Sequence, residues 1–488
     1  MENNNEKAKN KSFSSISVKS FLSVTIILIV MIAICGILSL VIPQGQFARD
    51  ENGDIIPGSF VGGDVKGIAF WRIITAPFRV FFVDGGITIL MISIFLLVMS
   101  GVFNLLDKTN GIKVIMRKLM TKFGTKKKIV VCVGILFFML FGSLFGLFEE
   151  LVTLLPFVTM LMLSLGFDTM TGLGVCMLSA CFGFSAAITN PFSIGIASNL
   201  AGISTLSGAW LRIVFFVLVY VVVCAFILLY IRKIQKKPEK SYSFEVDKEK
   251  KESLNFANEE ITENDNKIFK TYLIFFIIQF VVLVLVASIR AISSFAIPIL
   301  SVTFLVGGIV CGLIVEKDKK RVFALLGKGV LSMLPAVLLI ALASSVNLVM
   351  QESGILDTIM NSIITMLQGK SIYVCAIFVY IFILFLQVFI GSASAKIFLV
   401  MPILLPICSA VGLSPNCLIL IYCMADGFSD MILPTNPVLL IGLSMSNVSY
   451  WKWLKYTWKI QLAILALSLA VVFFGIAIGF WWIVVKSR

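Results

Sequence analysis

The chain has 488 residues, 59% of them hydrophobic and only 14% charged, well below the roughly 25% charged residues of soluble domains. A water-soluble core cannot absorb that much apolar surface, so a soluble protein is excluded and the bilayer is the solvent for most of the chain. The net charge of +14 sits in short loops between apolar runs, which fits the positive-inside rule and not a nucleic-acid partner.

The ten Cys fall singly in apolar stretches with no CxxC pair and are read as small hydrophobes. Histidine is absent. Imidazole is therefore unavailable as base, metal ligand or proton relay, and ion handling rests on carboxylates, Lys, hydroxyls and backbone.

Residues 1–20 form an Asn- and Lys-rich tail placed in the cytoplasm, followed by a retained first helix over 21–42. Residues 43–84 carry Asp50, Glu51, Asp54 and Asp64 with several Gly and are assigned outside. Residues 85–106 return to a loop holding eight Lys and Arg between Lys108 and Lys128. The apolar stretch 129–165 is broken at Phe148-Glu149-Glu150 and reads as a hairpin entered from the cytoplasm, about 129–168. A segment interrupted at Thr189-Asn190-Pro191 and a returning helix over 209–230 complete a first repeat, residues 21–232. Residues 233–268 are charged and poor in apolar side chains, hence a cytoplasmic linker.

The second repeat, 269–488, has crossings over 269–288, 295–315 and 322–350 and a second hairpin, about 371–410, entered from outside. Its turn is Gly391-Ser392-Ala393-Ser394-Ala395-Lys396. Another interrupted segment breaks at Pro434-Thr435-Asn436-Pro437, and a last helix runs outward. The expected fold is an all-α polytopic membrane protein with about nine transmembrane helices and two re-entrant hairpins. The C-terminus is placed outside.

A shift of 246 positions superposes Pro156 on Pro402, Gly166 on Gly412, Thr189-Asn190-Pro191 on Thr435-Asn436-Pro437 and Ser198 on Ser444. Because the hairpins open to opposite sides, the repeats are expected to be inverted. Interrupted helices at matching positions of inverted halves point to a midplane binding site. A helix opened in lipid frees backbone groups that cost several kcal/mol each unless they face protein or a polar cavity. Pro191 and Pro437 remove donors, whereas Thr189, Asn190, Thr435 and Asn436 add oxygen ligands.

Glu149 and Glu150 are candidate ligands because an intramembrane carboxylate is costly to retain. Lys396 is a candidate partner for a substrate carboxylate or for Glu150. Asp426 is a candidate for a coupling ion or a substrate amine, with Asp430 beside it, and Ser392 and Ser394 are candidate ligands.

With these stretches, Asn190-Pro191-Phe192-Ser193-Ile194-Gly195, Asp426-Gly427-Phe428-Ser429 and the opening Ile42-Pro43-Gln44-Gly45-Gln46-Phe47 in hand, the chain resembles the C4-dicarboxylate anaerobic carrier-like family, in its YfcC-type subgroup within the ion transporter superfamily. The resemblance implies a multi-pass carrier of the plasma (inner) membrane that moves its solute by an elevator-like motion. In some members it implies basic amino acid carriage or arginine/ornithine exchange.

The reading is a secondary transporter or exchanger of a small charged organic solute, an amino acid with a basic side chain first. A cation-coupled C4-dicarboxylate carrier is the alternative, and a channel a remote one. No enzyme chemistry is expected, because Glu149 with Ser143 or Ser392 has no nucleophile and base spacing. Small-molecule substrate and lipid are the expected partners, with a homodimer open. No cofactor or resident metal is expected, and Na⁺ or H⁺ is the candidate coupling ion.

Overall fold

The computed structural model describes residues 18–48, 56, 58–83, 86–111, 114–115, 118, 126–253, 263–288, 295–367 and 369–478. The side chains of Glu150 and Ser394 lie outside the described residues, as do the N-terminal tail through residue 17, residues 49–55 and the C-terminus. Among the described residues, six helices are long and apolar enough to cross a membrane, accompanied by shorter apolar helices of 10–17 residues. Leu155–Ser164, both arms of the second hairpin and the half-helices Thr169–Ser185 and Pro437–Ser446 belong to the shorter class, whereas the rising arm of the first hairpin, Lys127–Phe145, is one of the six.

One bundle is built from α1 (Val18–Ser39), an interfacial α2 (Phe70–Arg79), α3 (Gly86–Lys108), α11 (Glu263–Ser288), α12 (Ala296–Val315), α13 (Lys319–Ser332) and α14 (Leu334–Glu352). Lipid offers no hydrophobic drive between helices, so close approach at small residues supplies the packing. At Gly329 an added Cβ would stand 2.5 Å from the Ser100 carbonyl oxygen. Ser100 Oγ donates to Gly329 O at 2.8 Å and Asn104 Nδ2 to Leu325 O at 2.7 Å. On α2, Trp71 and Phe78 stay exposed while Arg79 pairs with Glu352. The Pro43 to Phe47 loop, with a two-residue antiparallel ladder of β1 (Gly45–Gln46) on β2 (Val61–Gly62), is stapled to the end of α14 and the start of α15 (Leu356–Leu367). Gln44 Nε2 donates to Ser353 O at 3.0 Å and Thr358 Oγ1 to Pro43 O at 2.8 Å.

The other bundle holds both hairpins and both interrupted helices. The first hairpin rises through α4 (Lys127–Leu140) and a π turn (Phe141–Phe145), turns at Gly146, and descends through a 3₁₀ turn (Glu150–Leu154) and α5 (Leu155–Ser164). The first interrupted helix is α6 (Thr169–Leu173), a π turn (Gly174–Leu178) and α7 (Ser179–Ser185). After the break come a π turn (Pro191–Gly195) and α8 (Ile196–Leu200), and α9 (Ala209–Lys236) then leaves for the linker. The second hairpin is α16 (Ile372–Gln387) and α17 (Ala393–Ala410). The second interrupted helix is α18 (Pro415–Ser429) and α19 (Pro437–Ser446), and α20 (Tyr450–Ala477) closes the bundle. The two bundles meet where α14 packs on α19 and α1 on α20, and where Phe276 and Phe280 of α11 pack on Phe157 and Phe141 of the first hairpin.

At the centre of this bundle α7 is squeezed from both sides. A Cβ at Gly183 would lie 2.1 Å from Met139 O, and one at Gly142 2.2 Å from Ala180 O. On the far side a Cβ at Gly427 of α18 would lie 2.5 Å from Ser185 Cα. Cys181 Sγ donates to Gly427 O at 2.9 Å and Ser185 Oγ to Met424 O at 3.1 Å. The Gly-Phe-Ser triplets repeated at 183 and 427 thus bring the two halves of the chain into backbone contact.

The linker docks on the bundle that holds the hairpins. It forms α10 (Phe244–Ser253), whose Asp247 and Lys250 are buried. Asp247 accepts from the Thr169 N–H at 3.0 Å at the head of α6, and Lys250 Nζ donates to Ser446 O at 3.1 Å at the tail of α19. Carboxylate at a helix N-terminus and ammonium at a C-terminus both follow the macrodipole. Burial pulls the Lys250 pKa from its ordinary 10.5 down to about 8, opposed by Asp247. Seven charged residues between Phe244 and Ser253 hid this docking, because sequence pattern does not see pairing across elements.

The α7–α18 crossing makes a testable demand. Gly427→Ala is expected to destabilise the protein by ~1–3 kcal/mol through overpacking. Gly327→Ala, whose Cβ would meet nothing within 4 Å, is expected to be neutral or slightly stabilising. Thermal unfolding in detergent, followed by fluorescence-detected size exclusion, compares them, and equal midpoints would refute the crossing.

Candidate functional site: two capped breaks and a buried ion cluster

Both breaks use asparagine in the same way. At the first, Asn190 Oδ1 accepts from the Phe192 and Ser193 N–H groups at 2.9 and 3.3 Å. At the second, Asn436 Oδ1 accepts from Val438 and Leu439 at 2.9 and 3.2 Å. Each Asn is thus the N-cap of a half-helix whose first turn contains proline, a position where a missing N–H costs nothing. Thr189 Oγ1 donates to Leu144 O at 3.1 Å, and Thr435 is half-buried.

The freed backbone finds different partners at the two places. At the first break, Ser143 on the hairpin's π turn serves nearly the whole segment. Its Oγ donates to Ala186 O at 2.6 Å, and its carbonyl accepts from the Ile188, Thr189 and Asn190 N–H groups at 3.1 to 3.3 Å. At the second break the last helix does this work: Trp453 Nε1 donates to Met431 O and Tyr450 Oη to Ile432 O, both at 2.6 Å.

Beside the second break lies a buried ion cluster. Lys396, at 0% exposure, pairs with Asp426 at 1%. Asp430, one turn further on α18, accepts from Gln387 Nε2 of the second hairpin and from Asn436 Nδ2, the latter at 2.7 Å. The amide that caps α19 therefore also holds a carboxylate. Tyr422 Oη donates to Ala393 O at 2.7 Å, tying α18 to the turn of that hairpin.

Several buried polar atoms lack hydrogen-bond partners. Among the described residues they are Asp426 Oδ2 and Gln387 Oε1 near the second break and Asn190 Nδ2 at the first, where Ser193 Oγ finds the Cys423 thiol. Orphaned buried polar groups cost about 1–3 kcal/mol each and call for an explanation. The two sets are neighbours, since α8 and its π turn pack on α17 and α18. The second break offers acceptors and the first an amide donor.

The expected residues divide accordingly. The structure gathers Asn190, Pro191, Lys396, Asp426, Asn436 and Pro437 around the breaks. Lys396 is committed to Asp426 and does not stand open for a substrate carboxylate. Glu149 lines a narrow apolar cleft between the bundles, with Ile92, Phe95 and Met99 of α3 and Val438, Ile441 and Met445 of α19. Ser392 is exposed and caps α17 through the Ala395 N–H at 3.4 Å. Ser143, Ser193 and Gln387 were missed by sequence reading. For Gln387 a signal existed: it is the one amide in the apolar run of α16.

The description "C4-dicarboxylate anaerobic carrier" matches residues 21–477. The chain belongs to that family. This places it among membrane carriers and not among enzymes. It is 28% identical over 388 residues to YfcC of Escherichia coli (strain K12), provisionally named a basic amino acid antiporter, covering 75% of this chain and 73% of the relative. It is 27% identical over 378 residues to an uncharacterised protein of Haemophilus influenzae, covering 77% and 73%. Among solved structures, the Alcanivorax borkumensis YdaH transporter aligns with a TM-score of 0.39 at 16% identity, covering 95% of this chain and 98% of that one. Neisseria gonorrhoeae MtrF, described with a class of antimetabolite efflux pumps, aligns with a TM-score of 0.42 at 18% identity, covering 92% and 94%. At those scores the likeness is too loose to argue from.

The double duty of Asn436 predicts unequal costs at equivalent positions. Asn190→Ala removes a cap, worth ~1 kcal/mol. Asn436→Ala removes a cap and a donor to a buried carboxylate, adding ~1.5–3 kcal/mol. Thermal unfolding of the two variants is expected to show the larger loss for Asn436→Ala, and the reverse order would contradict the assignment.

Proposed function

We propose that this member of the carrier family exchanges a small amino acid with a cationic group across the plasma membrane by alternating access. The observation that carries the reading is the pairing of orphaned acceptors at the second break with the orphaned amide donor of Asn190 at the first. An ammonium or guanidinium suits Asp426 Oδ2 and Gln387 Oε1. A carboxylate suits Asn190 Nδ2 at the N-terminal end of the capped half-helix. A C4-dicarboxylate is served less well, because the ammonium of Lys396 is already neutralised by Asp426.

The motion we infer is a slide of the hairpin bundle against the other bundle. Its support is the division into two bundles, and Glu149 in the cleft between them lies on the route a solute would follow. The matched asparagine caps support the inverted repeat. The Lys and Arg bias supports a cytoplasmic linker and N-terminus and an external C-terminus.

Proteoliposomes loaded with L-arginine, L-ornithine or a C4-dicarboxylate test the substrate. Saturable uptake with counterflow of the basic amino acids is expected. It should be lost in the double variant Asp426→Asn with Lys396→Met, which removes both partners of the ion pair and leaves the net charge of the cluster unchanged. Dicarboxylate counterflow that survives the double variant would sink the reading. An impermeant thiol reagent should fail to label a cysteine placed at Glu239 in intact cells, and labelling there would reverse the topology.

A further inference from the structure

The ion cluster does not balance its own charge. Lys396 contributes one positive charge and Asp426 and Asp430 two negative ones, and all three are more than nine-tenths buried. Among the described residues, the surrounding elements do not supply the missing charge. Gln387 from α16 and Asn436 from α19 are neutral amides. Cys181 of α7 and Tyr422 and Cys423 of α18 are the titratable neighbours and bring thiols and a phenol. Arg212 of α9 turns its guanidinium away, to the carbonyls of Thr205 and Ser207 at 2.5 and 3.0 Å. A net charge of this kind within a bilayer is expensive unless a counter-charge joins it.

The orphaned atoms indicate what joins. Asp426 Oδ2 and Gln387 Oε1 are acceptors, so the absent group is a hydrogen-bond donor or a cation. A metal ion suits the cluster poorly. Hard cations gather several oxygens, whereas Lys396 already occupies one oxygen of Asp426 and two N–H donors occupy one oxygen of Asp430. A proton needs a single carboxylate oxygen.

We propose that Lys396, Asp426 and Asp430 form the coupling site, and that the ion they exchange is one proton shared by the two carboxylates. The coupling role rests on the carrier reading above; the proton site itself does not. In the solute-free form the proton is held as a carboxylic acid. When the solute's cationic group arrives, the proton leaves to water, and the solute's N–H donors take its place at Asp426 Oδ2. The cluster is neutral in both loaded forms and carries an uncompensated charge only when empty of both. Movement of the empty, deprotonated bundle is therefore penalised, which enforces exchange of solute against proton. Asn436 transmits the change, because the amide that donates to Asp430 also caps α19.

Infrared difference spectroscopy of the full chain in nanodiscs, alkaline minus acid, reads the carboxylic-acid carbonyl band without any solute. Charge balance makes a specific demand: Asp430→Asn alone and Asp426→Asn alone should each abolish the band, since either leaves Lys396 matched by one carboxylate. Asp430→Glu should restore it, and Lys396→Met should strengthen it and carry it to higher pH. Variants are compared after size exclusion verifies folding, and either Asn variant suffices if the other fails to fold. A band that persists in a folded Asn variant, or is absent from the unmodified protein, overturns the proposal. In proteoliposomes free of sodium, an imposed pH gradient should drive L-arginine accumulation. Accumulation driven by a sodium gradient and indifferent to pH overturns the coupling role. A band that behaves as expected while L-arginine and C4-dicarboxylates stay immobile under every gradient would defeat the carrier reading and leave the proton site standing.

Discussion

An opened helix inside lipid has to find partners for every backbone group it frees, and this requirement organises the hairpin bundle. Water is not there to help, so each unsatisfied group would cost several kcal/mol. The first break is served by Ser143 of the first hairpin, which fixes that hairpin's depth and its tight packing through Gly142 and Gly183 on α7. The second break is served by Trp453 and Tyr450, which fixes the last helix beside α18. The same backbone problem thus has two solutions. The asparagine caps are common to both and the rest is not.

The ion cluster adds an electrostatic constraint to that frame. A buried salt bridge is weak evidence of stability, since desolvating both charges offsets most of their attraction. Lys396, Asp426 and Asp430 are instead held in place by amides and an ammonium drawn from three different elements. The second hairpin delivers Lys396 and Gln387, α18 delivers both carboxylates one turn apart, and Asn436 connects them to the half-helix beyond the break. A change of charge at Asp430 is therefore felt by the cap of α19.

The linker gives the hairpin bundle a brace of its own. Asp247 at the head of α6 and Lys250 at the tail of α19 bind α10 across both interrupted helices. Asp168 strengthens the same corner, accepting from Tyr230 Oη at 2.5 Å and Ser241 Oγ at 2.7 Å. These bonds unite elements from both halves of the chain.

Much of this was determined by the sequence alone, because the relevant physics is local. Apolar run length and loop charge specify membrane spans, proline and asparagine at 190–191 and 436–437 specify where helices open and how the next turn is capped, and the polar turn at 391–396 specifies a hairpin. The 246-residue spacing paired the two breaks before any geometry was known. What remained was decided by tertiary structure, because it depends on which distant side chains meet. Lys396 had a substrate, Glu150 and an unspecified ion pair as alternatives, and only the packing of α17 on α18 joined it to Asp426. Asp426 and Asp430 looked alike along the chain, yet Gln387 and Asn436 single out Asp430. Glu149, prominent for its charge, was drawn to the cleft between bundles. Periodicity and spacing report the face and depth of a residue, whereas charge pairing in a low-dielectric interior is settled by contacts a few ångströms long between segments far apart in the chain.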